Sequence, residues 1–170
     1  MGTLEVPVPA DLFLSGLPAR LRLSYHVAGA TWDFGTPAFF TLGFVRGALK
    51  GTPLKVASSW ALRGGLMGML ASVLLLEGLR AGVVPKFQKE APDFSEAGEK
   101  DRVDRLKKNT LVRTMDLYAW TGVTLGTAVS LVVKRSLHLP LIAGTSSIFS
   151  MGGIAVTVLK EKSLIPAAPK

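Results

Sequence analysis

Apolar residues gather along this chain in four long runs, set apart by two short basic turns and one charged stretch. Crossing hydrocarbon as a helix takes about 20 mostly apolar residues. Leu139–Leu159 is uncharged throughout and is the clearest span. Leu117–Val133 opens with Tyr118 and Trp120, residues suited to the headgroup belt. Ala61–Val84 carries no charge between Gly64 and Leu76, whereas Tyr25–Phe44 contains His26, Asp33 and Pro37 and is the weakest of the four. The pattern predicts an all-α integral membrane protein with four transmembrane helices paired as two hairpins, or three if the Asp33 run lies at the interface. A water-soluble helical bundle would need polar faces on all four runs, and the fourth offers only Thr and Ser.

The same pattern divides the chain into an N-terminal extramembrane segment (1–24), a helical membrane domain (25–159) interrupted by a charged extramembrane loop (85–114), and a C-terminal tail (160–170). The loop holds eight Lys or Arg and six Asp or Glu. Pro85 and Pro92 discourage helix at its start, and SEAGEKDRVDRLKKNTLV then predicts a surface helix. No secretory signal is expected, because Glu5 and Asp11 interrupt any basic leader and no uninterrupted apolar stretch follows. With Met1 in place, no removed presequence is expected either. Leu12–Leu23, with Arg20 and Arg22, reads as a basic amphipathic surface helix or an internal mitochondrial targeting element.

Glycine inside a helix costs about 0.5–1 kcal/mol relative to alanine, so its placement calls for a reason. Gly64, Gly68 and Ser72 recur every fourth residue, and Gly122, Gly126 and Ser130 repeat the spacing. Residues four apart share a helix face. Lipid supplies no hydrophobic drive for helices to associate, so small side chains that permit close van der Waals approach take over that task. These two triads, with the looser set Ser146, Ser150, Gly153 and Thr157, are expected to form helix-packing interfaces with partner helices. The matched triads also hint at a duplicated hairpin.

Composition agrees with a membrane setting. Residues are 48% hydrophobic and 19% charged, below the roughly 25% charged of soluble domains, and mean hydropathy is +0.37. The net charge of +8 raises nucleic acid as a partner. The cations flank apolar runs without gathering on one face, and no RNA-binding or zinc-finger signature is present, so no nucleic acid is expected. Flanking cations instead point to anionic phospholipid, cardiolipin among them. Counting cations puts the long-loop side inside; counting net charge density favours the short turns with Arg46, Lys50, Lys55, Lys134 and Arg135. Orientation is therefore left open. The lack of cysteine removes disulfides, thiolate metal sites and Cys nucleophiles.

Intramembrane charges are functional suspects. Glu77 and Arg80, three apart on one face, read as an ion pair at the headgroup boundary or as a relay. Asp33, in WDFGTP, reads as the N-cap of a helix with Pro37 near its first turn, or as a carboxylate on a broken helix lining an ion path. His26 and His138 fall on opposite sides of a four-span arrangement and so cannot share a haem. No catalytic, cofactor-binding or metal-binding set is expected; the chain reads as a non-enzyme without cofactors.

GGLMGMLAS and GVTLGTAVS, within Tyr25–Leu159, carry a resemblance. Four short glycine-spaced spans in a basic chain without a cleaved presequence resemble the mitochondrial inner-membrane translocase family, which includes a membrane accessory subunit of respiratory complex I. The outline is also similar to lineage-specific accessory subunits of that complex. The resemblance implies a multi-pass, non-catalytic accessory subunit with structural or assembly duties in the electron-transport chain, bound to other integral membrane subunits. Its alternative is a component of a protein translocase or a small transporter or channel. A bacterial or plastid membrane fits the same pattern.

Overall fold

A computed structural model describes residues 14–83 and 92–164, and side chains as far as residue 159. Those residues are predominantly helical, with no strand among them. Helix α1 runs Ala19–Ala48, α2 Pro53–Arg80, α3 Glu96–Lys108, α4 Thr110–Val129 and α5 Leu139–Leu164.

Local chemistry sets the boundaries. Pro18, with extended backbone, precedes α1. Gly51 adopts φ 69°, and the Thr52 amide returns to the Gly47 carbonyl. Gly82, at φ 70°, ends α2 in the same way, with the Val83 amide on the Gly78 carbonyl. Both are glycine-terminated helix ends that satisfy otherwise orphaned carbonyls. Pro53 opens α2, where a missing N–H costs nothing. In α3 the Ser95 hydroxyl accepts from the Gly98 amide, Glu96 and Glu99 occupy the first turn, and Arg105, Lys107 and Lys108 the last. That distribution matches the helix dipole. The Asn109 side chain accepts the Leu111 and Val112 amides and starts α4. After Val129 the chain makes a π turn through Ser130–Lys134 and reverses at Arg135, φ 52°.

Among the described residues, three helices are long and apolar enough to cross a membrane: Pro53–Arg80, Thr110–Lys134 and Leu139–Leu159. At 30 residues α1 has the length but falls short in apolarity, because Asp33, His26 and the flanking Arg residues dilute it. It nevertheless packs along the whole of α2. Gly47 lies against Pro53, Gly43 against Ala57 and Trp60, and the Thr31 and Ser72 hydroxyls meet at 2.9 Å. Helices α4 and α5 pair likewise, and the two pairs join through Phe40, Ala57, Ala61 and Ala143. The Trp32 indole N–H donates to the Ser146 hydroxyl across that junction, at 3.2 Å. A second apolar cluster, Leu23, Leu76 and Val103, seats α3 on the end of the first pair.

Several sequence boundaries shift. The first run is helical from Ala19, inside the stretch assigned to the N-terminal segment, and α5 runs to Leu164, into the assigned tail. The surface helix stops at Lys108, because Asn109 turns its side chain to capping the next helix. Asp33 is not an N-cap. It sits mid-helix, and α1 continues through Gly35 and Pro37 without a break. Pro37 takes away the amide that would bond the Asp33 carbonyl. The helix survives because tertiary contacts hold it: Thr36, Pro37 and Phe40 are all buried.

Candidate functional site

The Asp33 carboxyl is set by α1 on the face turned inward, with 4% of the residue exposed. It lies about 20 Å along the helix from Arg20, at 1.5 Å per residue, and a similar distance from the other end. A carboxyl so placed needs a partner. The partner is Asp116, from the second turn of α4, whose carboxyl is within hydrogen-bonding reach. Two ionised carboxylates repel at that range, so the contact calls for a shared proton or a cation.

The pair faces a cleft of about 220 Å³ between α1, α2 and α4. Tyr25, His26 and Trp32 line it from α1, Met69 from α2, and Trp120 from α4. The Trp120 indole lies beside the Tyr25 hydroxyl. The Tyr25 and His26 rings meet edge to face at 6.0 Å. Asp33 and His26 are buried, whereas Tyr25 and Trp120 stand half-exposed at the mouth. Chemically this is an anionic or proton-sharing floor under aromatic walls. Among the described residues no group of three or more His, Asp or Glu gathers as a metal site.

Glu77 and Arg80 come together at the far end of α2 with partners the sequence had not joined to them. Arg80 donates Nε to Glu99 of α3 at 2.7 Å, contacts Glu77, and reaches the Ser24 hydroxyl at 3.0 Å. Arg20 donates to the other Glu77 oxygen at 2.5 Å. Arg80 and Glu99 are buried, and Glu77 is 39% exposed. The cluster ties α1, α2 and α3 at one end and stands well apart from Asp33. Next to it, outside the spans, Asp93 accepts the Ser95 amide and hydroxyl, and these bonds hold its carboxyl below the usual range.

The small-residue positions sort by helix. On α2, Gly64 faces the Phe39 ring of α1, Gly68 lies near Thr31, and Ser72 bonds it. On α4, Gly122 and Gly126 meet the α5 backbone, and Thr145 donates its hydroxyl to the Gly122 carbonyl at 2.9 Å. Gly153 lies against Tyr118, while Ser146 and Ser150 are fully buried on α5. The neighbours of these stripes are helices of this chain itself. Ser130 serves a turn: it accepts the His138 amide and donates to the Ser136 carbonyl. His138 caps α5 by accepting the Leu141 amide on Nδ1.

Local spacing gave no sign of Asp116: it falls between the charged loop, which ends at residue 114, and the apolar run that begins at Leu117. The signal that would have found it is Asn109, a good cap, which starts α4 early enough to carry Asp116 inward. Against known proteins, the chain matches no family model and no curated protein sequence.

Proposed function

We propose that the chain is a multi-pass, non-catalytic accessory subunit of a large membrane assembly, with a respiratory complex of the mitochondrial inner membrane, complex I, as the assembly its outline most resembles. The observation that supports the reading is the outward surface. The most apolar windows of α2 and α4 are each only 22% buried within the chain, and that of α5 39%. Large side chains such as Leu66, Met67, Leu70 and Leu74 point away from the fold, and a surface so apolar is matched by lipid or by other membrane helices. The antiparallel packing of α1 on α2 favours the four-span version, with the polar Asp33 and His26 of α1 buried and Phe34, Leu42 and Val45 exposed on its outer face. Arg46, Lys50, Lys55, Lys134 and Arg135 collect at the end opposite α3, where none joins an ion pair among the described residues. That rim suits anionic headgroups, cardiolipin included.

Mild-detergent extraction and a native gel test the proposal. Co-migration with a megadalton oxidoreductase is the expected result. Migration alone, or with import machinery, overturns it. The cleft over Asp33 and Asp116 favours a second reading, a component of a transporter or translocase. Asp33→Asn separates the two: lost flux with intact assembly assigns transport, and intact flux dismisses it.

A further inference from the structure

The cleft between α1, α2 and α4 has features that scaffolding does not require. Its floor is a carboxyl pair, one member on each of two helices that are far apart in sequence. Its walls are three aromatic side chains, Tyr25, Trp32 and Trp120. Aromatic faces attract cations through their quadrupole, most strongly where water is excluded, and boxes of such rings recognise alkylated ammonium groups. A hard divalent ion keeps a shell of water or gathers many oxygen ligands; the aromatic lining suits an organic cation better, and among the described residues no group of three or more His, Asp or Glu gathers to hold a metal.

We infer that the cleft binds a small organic monocation, an amine or methylated ammonium, in exchange for the proton shared by the Asp33 and Asp116 carboxyls. The steps balance. In the cation-free state one proton bridges the two carboxyls and the pair carries a single negative charge. The arriving cation brings one positive charge and lowers the cost of ionising the second carboxyl. The bridging proton leaves to solvent, and the carboxylate pair with one cation again carries one net negative charge. Binding therefore tightens as pH rises. The other titratable groups facing the pair are Tyr25 and His26, both on α1; α2 contributes only Met69 to this wall. The inference holds whether the chain works alone or within an assembly.

The full chain in lipid nanodiscs provides the test, with tetramethylammonium chloride as probe and sodium chloride at equal ionic strength as reference. Two of the three tryptophans line the cleft, so intrinsic fluorescence reports occupancy. The expected result is a saturable change specific to tetramethylammonium, stronger at higher pH, with about one proton released per cation into a weakly buffered dye solution. Asp33→Asn and Asp116→Asn should each weaken binding by about tenfold or more and abolish proton release. His26→Gln tests the imidazole as the proton source: proton release lost in that variant would overturn the assignment of the proton to the carboxyls. If an Asn variant fails to fold, as judged by circular dichroism and gel filtration, Trp120→Leu at the exposed mouth and the wild-type proton count decide. Equal responses to sodium or to neutral tert-butanol, binding unchanged in folded carboxyl variants, or binding without proton release would each overturn the inference.

Discussion

At Gly122 the α4–α5 contact leaves no room for even one methyl group. A Cβ there falls 2.7 Å from the Ser146 Cα and 2.7 Å from the Thr145 carbonyl oxygen, whereas ordinary contact begins at 3.4 Å. The opposing atoms are backbone, so the helices themselves must part by roughly 0.7 Å (3.4 − 2.7). Overpacking of this kind costs about 1–3 kcal/mol. Parting also stretches the Thr145 hydroxyl bond to the Gly122 carbonyl, a bond worth about 0.6 kcal/mol in a membrane. Alanine offsets about 0.5–1 kcal/mol through its better helix propensity. Gly122→Ala should therefore destabilise the fold by about 1–2 kcal/mol. Gly68 makes the matching control: its Cβ would lie 3.5 Å from the nearest atom, the Thr31 carbonyl oxygen. Gly68→Ala should stabilise by up to about 1 kcal/mol, since only the propensity difference remains. Reversible unfolding in mixed micelles, driven by dodecyl sulfate and followed by far-UV circular dichroism, measures both. The two midpoints should move in opposite directions. A Gly122→Ala midpoint at or above wild type would refute the close approach of α4 to α5.

Arg80→Met leaves Glu99 buried without its guanidinium and should cost about 3–5 kcal/mol in the same assay, while adding Glu99→Leu should recover much of that loss. The cysteine-free chain permits clean single-cysteine topology mapping: in the four-span arrangement, cysteines at Ser15 and Ser95 label from one side and those at Gly51 and Ser136 from the other. Labelling of Ser15 and Gly51 from the same side would limit the spans to three. Asp93 should couple the start of α3 to pH. Its carboxyl is held low in the fold, so the stabilisation it gives is present above the ordinary carboxylate range and is lost as pH falls through the lowered value. The Ser95 amide resonance should report a midpoint below that of an unstructured Asp, and Asp93→Asn should remove the transition.

Much of the architecture was readable from residue order, though unevenly. The fourth run needed nothing beyond its lack of charge. The first misled at Pro37 and Asp33, because local rules place both at a helix start, and the contacts that carry α1 through them come from Gly64 and Gly65 on another helix. Four-residue spacing identifies which face of a helix is smooth but carries no information about what meets it. Chain order supplied the answer, pairing each glycine stripe with a helix adjacent in sequence, α2 with α1 before it and α4 with α5 after it. The Glu77–Arg80 contact, three residues apart, was visible as local geometry. Its companions Arg20 and Glu99 lie 57 and 19 positions away from their partners, beyond any pattern of spacing. Asp116 escaped for a related reason: hydropathy marks where a helix becomes greasy, whereas a cap marks where it begins.

With Gly64, Gly122 and Gly126 all turned toward sister helices, the rim facing outward is left to flexible, bulky chains such as Leu66, Met67 and Leu70. Such a hull is slippery and lacks landmarks, so it solvates well in acyl chains yet offers a neighbour little shape to grip. Any lasting attachment would then have to be made at the two poles, where a charged helix sits at one end and five cations at the other.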